Sequence, residues 1–190
     1  MAFGAIGRRR KRIERSKLSR AHVAEASGVS GTQAREWLPA GAIRAAGVKP
    51  ATLTLNGAGF LVLSFADGQE QYGQSNLIIP DDIDRAIACY ICVGWSSPTT
   101  SQDCDWEIEY LITAEDDDTD QAGTTAQDYA ESSATADGLV VSSIATIAGG
   151  TISADDICIH TQVMRDGDDG SDNLGDVAEL HGMALLYTRK

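Results

Sequence analysis

Four aspartates in one short segment are the residues best suited to hold a metal ion. Asp166, Asp168, Asp169 and Asp172 lie in a Gly-rich stretch, with Asp176 close behind them. Carboxylate oxygens are the ligands that Ca²⁺ prefers, but no glutamate follows at the spacing of an EF-hand loop. We therefore predict a solvated hairpin tip without a metal or cofactor, and we keep a calcium site at the first four aspartates as the alternative.

Residue types that hydrolases use are present, but not in the patterns that hydrolases need. Ser, His and Asp occur without the Gly-x-Ser-x-Gly turn that presents a nucleophile, and His160 and His181 lie in predicted strands. Glu107 and Glu109 share one strand face, and paired carboxylates are typical of glycosidases, yet no aromatic sugar platform accompanies them in the sequence. We therefore predict no catalytic residues and a non-enzymatic protein.

The four cysteines are interpreted as structural thiols. Cys89 and Cys92 have the spacing of a CxxC pair, but both lie in a predicted strand. Residues three positions apart in a strand point to opposite faces, so this pair cannot bind one metal ion together. We expect buried or half-buried thiols here and at Cys104 and Cys158, which fits synthesis in a reducing cytoplasm.

Charge is divided unevenly along the chain. Residues 1–50 hold 11 basic and 3 acidic side chains, a net charge of +8, whereas residues 51–190 hold 4 basic and 25 acidic side chains, a net charge of −21. We interpret residues 1–36 as a basic arm that becomes ordered on a partner of opposite charge, such as a capsid surface, a neighbouring subunit or packaged nucleic acid. The residues predicted to dock the arm are Arg8, Arg9, Arg10, Lys11, Arg12, Arg15, Lys17 and Arg20.

Residues 37–190 have the pattern of an antiparallel β domain. Between Asp105 and Thr113, apolar and acidic side chains alternate with the period of a strand that buries one face. No amphipathic helix separates the strands, so the pattern predicts an all-β, jelly-roll-like β-sandwich, with Trp37 anchoring the chain where it enters the sheet. The predicted strands are 52–55, 59–65, 72–79, 85–95, 105–113, 127–135, 139–147, 157–165 and 177–187.

A set of short motifs resembles one family of bacteriophage proteins. The motifs are Trp37 to Ala42, Pro80 to Asp82, Gly94 with Trp95, Trp106, Met164 to Gly167, Gly170 to Asp172 and Gly175 to Gly182. Together they are similar to a β-sandwich domain of phage minor structural, tail-fibre and head-decoration proteins. The resemblance covers residues 37–188, and it implies a structural role without catalytic residues.

These observations lead to one main hypothesis and two alternatives. We expect a capsid decoration or cement protein that forms a homotrimer, contacts the major capsid protein or other virion proteins through its arm, and joins the virion in the host cytoplasm. One alternative is a tail-fibre or spike module that binds the host surface through loops 96–104, 114–126 and 166–176. The other is a small shell-forming coat protein whose arm contacts the genome.

No membrane association is expected from the sequence. No apolar run approaches the roughly 18 residues that a helix needs to cross a bilayer. The basic cluster near the N-terminus is not followed by the apolar segment of a secretory signal.

Overall fold

The computed structural model describes residues 32–132 and 135–190, and residues 124–131 are described by their backbone alone. A short 3₁₀ turn, Ala40–Ala42, follows the first strand. In these ranges, no helix is long and apolar enough to cross a membrane. The strands are β1 (Gln33–Pro39), β2 (Arg44–Ala45), β3 (Thr52–Leu55), β4 (Leu61–Phe65), β5 (Glu70–Ile78), β6 (Cys89–Ser96), β7 (Asp103–Ala114), β8 (Thr124–Ser132), β9 (Val140–Ile147), β10 (Asp156–Asp166) and β11 (Ala178–Thr188).

The strands form two sheets in which every strand pairing is antiparallel. One sheet has six strands, in the order β3-β4-β11-β6-β9, with β1 also paired to β11. The other has five strands, in the order β2-β5-β10-β7-β8. The prediction of an all-β, jelly-roll-like sandwich is confirmed for the described residues.

The core lies between the two sheets and is centred on three aromatic rings. Trp106 of β7 contacts Phe65 of β4 edge to face, with ring centroids 5.0 Å apart, and Trp95 of β6 lies 6.0 Å away from it. All three side chains are fully buried. The Trp95 indole N–H donates to the hydroxyl of Ser142 at 3.1 Å, so burial leaves this polar group satisfied. Large aromatic surfaces of this kind contribute much of the hydrophobic stabilisation of a sandwich.

Two irregularities displace strand positions from those that the sequence predicts. β6 begins at Cys89 rather than at residue 85, because Asp84 turns the chain: its carboxylate accepts the N–H of Ala86 and its carbonyl accepts the N–H of Ile87. In β10 the register shifts between Asp156 and Cys158. Regular alternation would place Ile157 on the same side as the buried Ile159, but with this shift Ile157 is 54% exposed.

The first strand begins inside the segment that the sequence assigns to the arm. Gln33 pairs with Thr188, and the ladder continues to Pro39 opposite Gly182. Residues 33–36 therefore belong to the six-stranded sheet, four residues ahead of the predicted domain boundary. Neither β1 nor β2 was predicted from sequence, because β1 lacks apolar alternation and β2 has only two residues.

Candidate functional site

The basic cluster lies outside the described residues. Arg8, Arg9, Arg10, Lys11, Arg12, Arg15, Lys17 and Arg20 all precede residue 32, so the docking role remains a prediction from sequence. The same holds for the conformation of the arm as far as residue 31.

Trp37 lies on the outer face of the six-stranded sheet. It pairs with Ala184 across the β1–β11 ladder, and its indole covers Gly94 of β6 and Gly182 of β11 so closely that a Cβ atom at either glycine would overlap the ring. The side chain is 41% exposed. The contact ties β1 to two strands at once, at the point where the described chain enters the sheet.

A buried arginine organises the aspartate-rich loop. Arg165 has no exposed surface, and its Nε and Nη2 donate to the two carboxylate oxygens of Asp172, each at 2.8 Å. Its Nη1 donates to the carbonyls of Asp176 at 2.7 Å and Phe65 at 3.3 Å, and its Nη2 also donates to the carbonyl of Leu174. The guanidinium therefore fixes the path of the chain from residue 172 to residue 176.

The structure does not bring together the four aspartates of the calcium alternative. Asp172 has no exposed side-chain surface and is occupied by Arg165. Asp169 accepts the N–H of Ser171 at 2.7 Å, and this hydrogen bond holds the pKa of its carboxyl below the usual value. Of the original set, two aspartates stay together, Asp166 and Asp168.

Glu70 of β5 joins these two aspartates, which the sequence does not foresee. One oxygen from each of Glu70, Asp166 and Asp168 lies within 4.8 Å of the others. Asp166 Oδ1 is buried without a hydrogen-bond partner, and burial, together with the neighbouring carboxylates, raises the pKa of this carboxyl to about 6. Lys49 forms an ion pair with Glu70 at the edge of the group, so a cation is already present there.

His160 and His181 occupy polar strand positions, as the sequence predicts. His181 Nε2 lies 2.8 Å from the hydroxyl of Ser96, and burial lowers the pKa of this imidazole. Ser96 is only 3% exposed, so little of this serine is accessible to solvent. His160 is held by Asn76 and Thr113 on the two neighbouring strands, at 2.9 and 3.1 Å.

The cysteines pack as buried or half-buried free thiols. Cys89 and Cys92 are each 1% exposed, and Cys89 belongs to the central core whereas Cys92 does not. Cys104 is fully buried and Cys158 is half-buried. Burial raises the pKa of Cys89 to about 12, so this thiol is a weak nucleophile.

The outermost strand of the six-stranded sheet presents uncovered apolar side chains. Leu53 and Leu55 of β3 pair with Leu63 and Leu61 of β4, so these leucines share the sheet face that carries the core. Leu63 is fully buried, but Leu53, Leu55 and Leu61 are 46%, 62% and 45% exposed. Phe60, in the turn beside them, is 67% exposed. We call these four exposed residues the β3 edge.

The β3 edge is also free of negative charge. Residues 37–66 contain no Asp or Glu, in a chain that carries 28 of them. Sequence reasoning did not single out this surface. The signal that was available is the 30-residue gap between Glu36 and Asp67 in an otherwise acidic domain.

No protein-family model and no curated protein matches the chain. Several solved structures have a similar arrangement of strands. An isomalto-dextranase of Arthrobacter globiformis T6, complexed with panose, has a TM-score of 0.47 and 12% identity, and the match covers 80% of this chain and 23% of that one. This chain therefore spans about a quarter of the length of that neighbour.

Two other neighbours come from different classes of protein. A family 11 carbohydrate-binding module from Clostridium thermocellum has a TM-score of 0.36 and 10% identity, and the match covers 86% of this chain and 87% of the module. A structure of infectious bursal disease virus has the same TM-score and identity, with coverage of 83% and 32%. The likeness to all three is one of β-sandwich fold.

Proposed function

We propose that this protein is a non-enzymatic structural protein of a bacteriophage particle, acting as a decoration protein on the capsid. Copies pack against one another through the β3 edge to form a homotrimer. The basic arm binds the acidic outer surface of the shell. The short motifs within residues 37–188 support the phage assignment. The exposed apolar β3 edge is the observation that supports a role in assembly.

The β3 edge supports self-association for two reasons. It leaves three leucines in water on a face that continues the core, with the exposed Phe60 in the turn beside them, and exposed clusters of this kind mark interaction surfaces. β3 also pairs with β4 alone in the described residues, so its other side offers free backbone groups.

The charge distribution favours a second copy of the chain as the occupant of this edge. Residues 51–190 carry a net charge of −21, so two copies repel each other wherever acidic surfaces meet. The acid-free segment 37–66 is where like-charged domains can approach closely. The basic arm, in contrast, favours an acidic partner surface, because its arginines are attracted to negative charge.

Self-association is tested by charge substitution at the edge. We expect the full chain to sediment as a trimer and Leu55→Asp and Phe60→Asp to shift it to monomer, because a buried unpaired carboxylate at an interface is costly. Ile157→Asp is the matched control, since Ile157 is an exposed apolar residue on the other sheet. A wild-type chain that remains monomeric at its highest soluble concentration would contradict the trimer.

The proposed docking role of the arm is tested with purified phage particles. Removing residues 1–31 leaves all of β1 in place, so the sandwich is not shortened. We expect the full chain to be detected by mass spectrometry in purified particles and to rebind stripped particles in a salt-sensitive manner, whereas the shortened chain or a variant with residues 8–12 changed to Ser does not rebind. Absence from particles would refute the decoration role, and assembly of the chain alone into closed shells would favour the coat-protein alternative.

A further inference from the structure

A polar cleft lies on the outer face of the five-stranded sheet. Its volume is about 370 Å³, within the range of small-molecule sites. The floor comes from β5, β10 and β7, and the loop between β7 and β8 forms one wall through Thr119, Gln121 and Gly123. The cleft and the β3 edge belong to different sheets.

Strand register places the polar side chains of the floor in rows. Gln74 of β5 pairs with Gln162 of β10, which pairs with Glu109 of β7. Directly paired residues point to the same side of a sheet, so the three side chains form one row roughly 10 Å long. In the next row, Asn76 pairs with His160.

The first row has hydrogen-bonding capacity that the protein does not use. In the described part of the chain, the side chains of Gln74, Gln162 and Glu109 make no hydrogen bond or ion pair with other residues. The amide of Gln121 donates to the carbonyl of Asp118 at 2.7 Å, which fixes its direction and leaves its oxygen available. Free donors and acceptors therefore line both the floor and the wall.

The surroundings of this row are held in place. His160 bonds to Asn76 and Thr113 through its two ring nitrogens, so its imidazole is fixed. Gly123 packs directly on the side chain of Glu109, where a Cβ atom would overlap it. Fixed polar groups lose little conformational entropy when a ligand binds.

The lining chemistry selects the class of ligand. Amide groups both donate and accept, which matches hydroxyl groups, and no Lys or Arg is present to bind an anion. Among the described residues of the lining Glu109 is the one carboxylate, too few for a divalent cation, and Leu111 with Ala122 adds a small apolar contact. We propose that this cleft binds a neutral, hydroxyl-rich ligand, namely a short uncharged saccharide.

The proposal is tested with the full chain on an array of neutral, sialylated and sulfated glycans, followed by NMR titration with the neutral oligosaccharides that bind. We expect binding to neutral glycans, and roughly tenfold weaker binding for Gln162→Ala and for the more exposed Gln74→Ala, because each loses hydrogen bonds to the ligand. Gln69→Ala is the control, since this glutamine is exposed in the turn before β5 and outside the cleft.

The charge of Glu109 separates the proposed ligand from a cationic one. We expect Glu109→Gln to keep neutral-glycan binding within about twofold, because the amide still accepts a hydrogen bond. A preference for sulfated or sialylated glycans, loss of binding in Glu109→Gln alone, or no neutral glycan bound at millimolar concentration would overturn the proposal. Binding should persist when residues 1–31 are removed, so it can hold or fail independently of the decoration role.

Discussion

Arg165 shows how one side chain can set the conformation of a whole loop. The pair that it forms with Asp172 is entirely removed from water, and the remaining guanidinium N–H groups are used by backbone carbonyls. A buried charge that loses its partner is far more costly than an exposed one. The pair therefore determines whether the segment after β10 keeps its shape.

We expect Arg165→Met to lower the free energy of unfolding by about 3–5 kcal/mol, because it leaves Asp172 buried and unpaired. Replacing both residues, as Arg165→Met with Asp172→Leu, should cost less than the sum of the two single changes. Urea denaturation of the four proteins measures this coupling. Arg189→Met is the control, since its pair with Asp82 is half exposed and should contribute at most about 1 kcal/mol; equal costs at the two arginines would contradict the argument.

Asp166 should give the stability a pH dependence of its own. Its carboxyl has a pKa of about 6 in the folded protein against an ordinary value of 3.8, so the folded state binds this proton more tightly than the unfolded state does. The free energy of unfolding therefore decreases, through this group, as the pH rises from about 4 to about 6, and it stays lower above that range.

We expect Asp166→Asn to raise the melting temperature at about pH 7.5 and to change it little near pH 3.5, where the wild-type carboxyl is protonated in both states. Asp155→Asn, at an exposed position, controls for the loss of one negative charge from an acidic domain. An equal increase in melting temperature for both variants at pH 7.5 would mean that net charge, rather than the environment of Asp166, is responsible.

Much of the aspartate loop could have been inferred from one residue. Ile159, Thr161 and Val163 point inward, and the same alternation places Arg165 inward as well. An arginine at an inward position requires a buried acceptor, and the aspartates that follow it are the natural source. The choice of Asp172 over its neighbours depends on the path of the loop, which the sequence does not encode locally.

At the scale of elements, β1 is held to its sheet by the indole of Trp37 as well as by its ladder to β11. The two glycines beneath the ring differ in what surrounds them. The three atoms nearest to a Cβ atom at Gly94 all belong to the Trp37 ring, whereas the atom nearest to one at Gly182 is the backbone carbonyl oxygen of Leu38. Because of this difference, alanine substitutions at the two glycines can measure how much the contact between the Trp37 indole and Gly94 affects the free energy of unfolding.

We expect Gly94→Ala to lower the free energy of unfolding by about 1–3 kcal/mol, because the new methyl group displaces the indole. The same change in a Trp37→Ala background should cost little, since the obstacle is gone. Gly182→Ala should remain destabilising in both backgrounds, because the Leu38 carbonyl cannot move aside. Thermal or urea unfolding of this set is the measurement, and additive costs for Gly94→Ala and Trp37→Ala would contradict the packing described.

Predictability from sequence follows the strength of local signals. Strands such as β7 were located within two residues, because one face is apolar and the other acidic. β1 was missed because its sequence, Gln33 to Pro39, lacks the alternation of a strand with one buried face, and it is defined by its pairing with β11. The polar cleft was missed for a related reason, since Gln74 and Gln162 are distant in sequence and meet only through strand register.

At the scale of the whole molecule, charge and apolar surface are separated. The described domain carries most of the acidic residues, yet the β3 edge has none nearby in sequence. Like charges repel, so under the proposed assembly the acid-free segment is where two copies would meet. The uneven distribution of charge between residues 1–50 and 51–190 can be read from the sequence. The exposure of the β3-edge leucines cannot, because it depends on how far the opposing sheet covers them.

The position of β11 has a consequence for how the protein is made. This strand, Ala178–Thr188, lies inside the six-stranded sheet, where it pairs with β1, β4 and β6. Until β11 has emerged from the ribosome, β4 and β6 lack a shared neighbour and their free backbone edges are available to other nascent chains. The sheet must then close through partners more than 80 residues apart in sequence, as between Met183 and Val93. Such long-range closure is slow, so synthesis of β11, rather than of the earlier strands, starts completion of the sandwich.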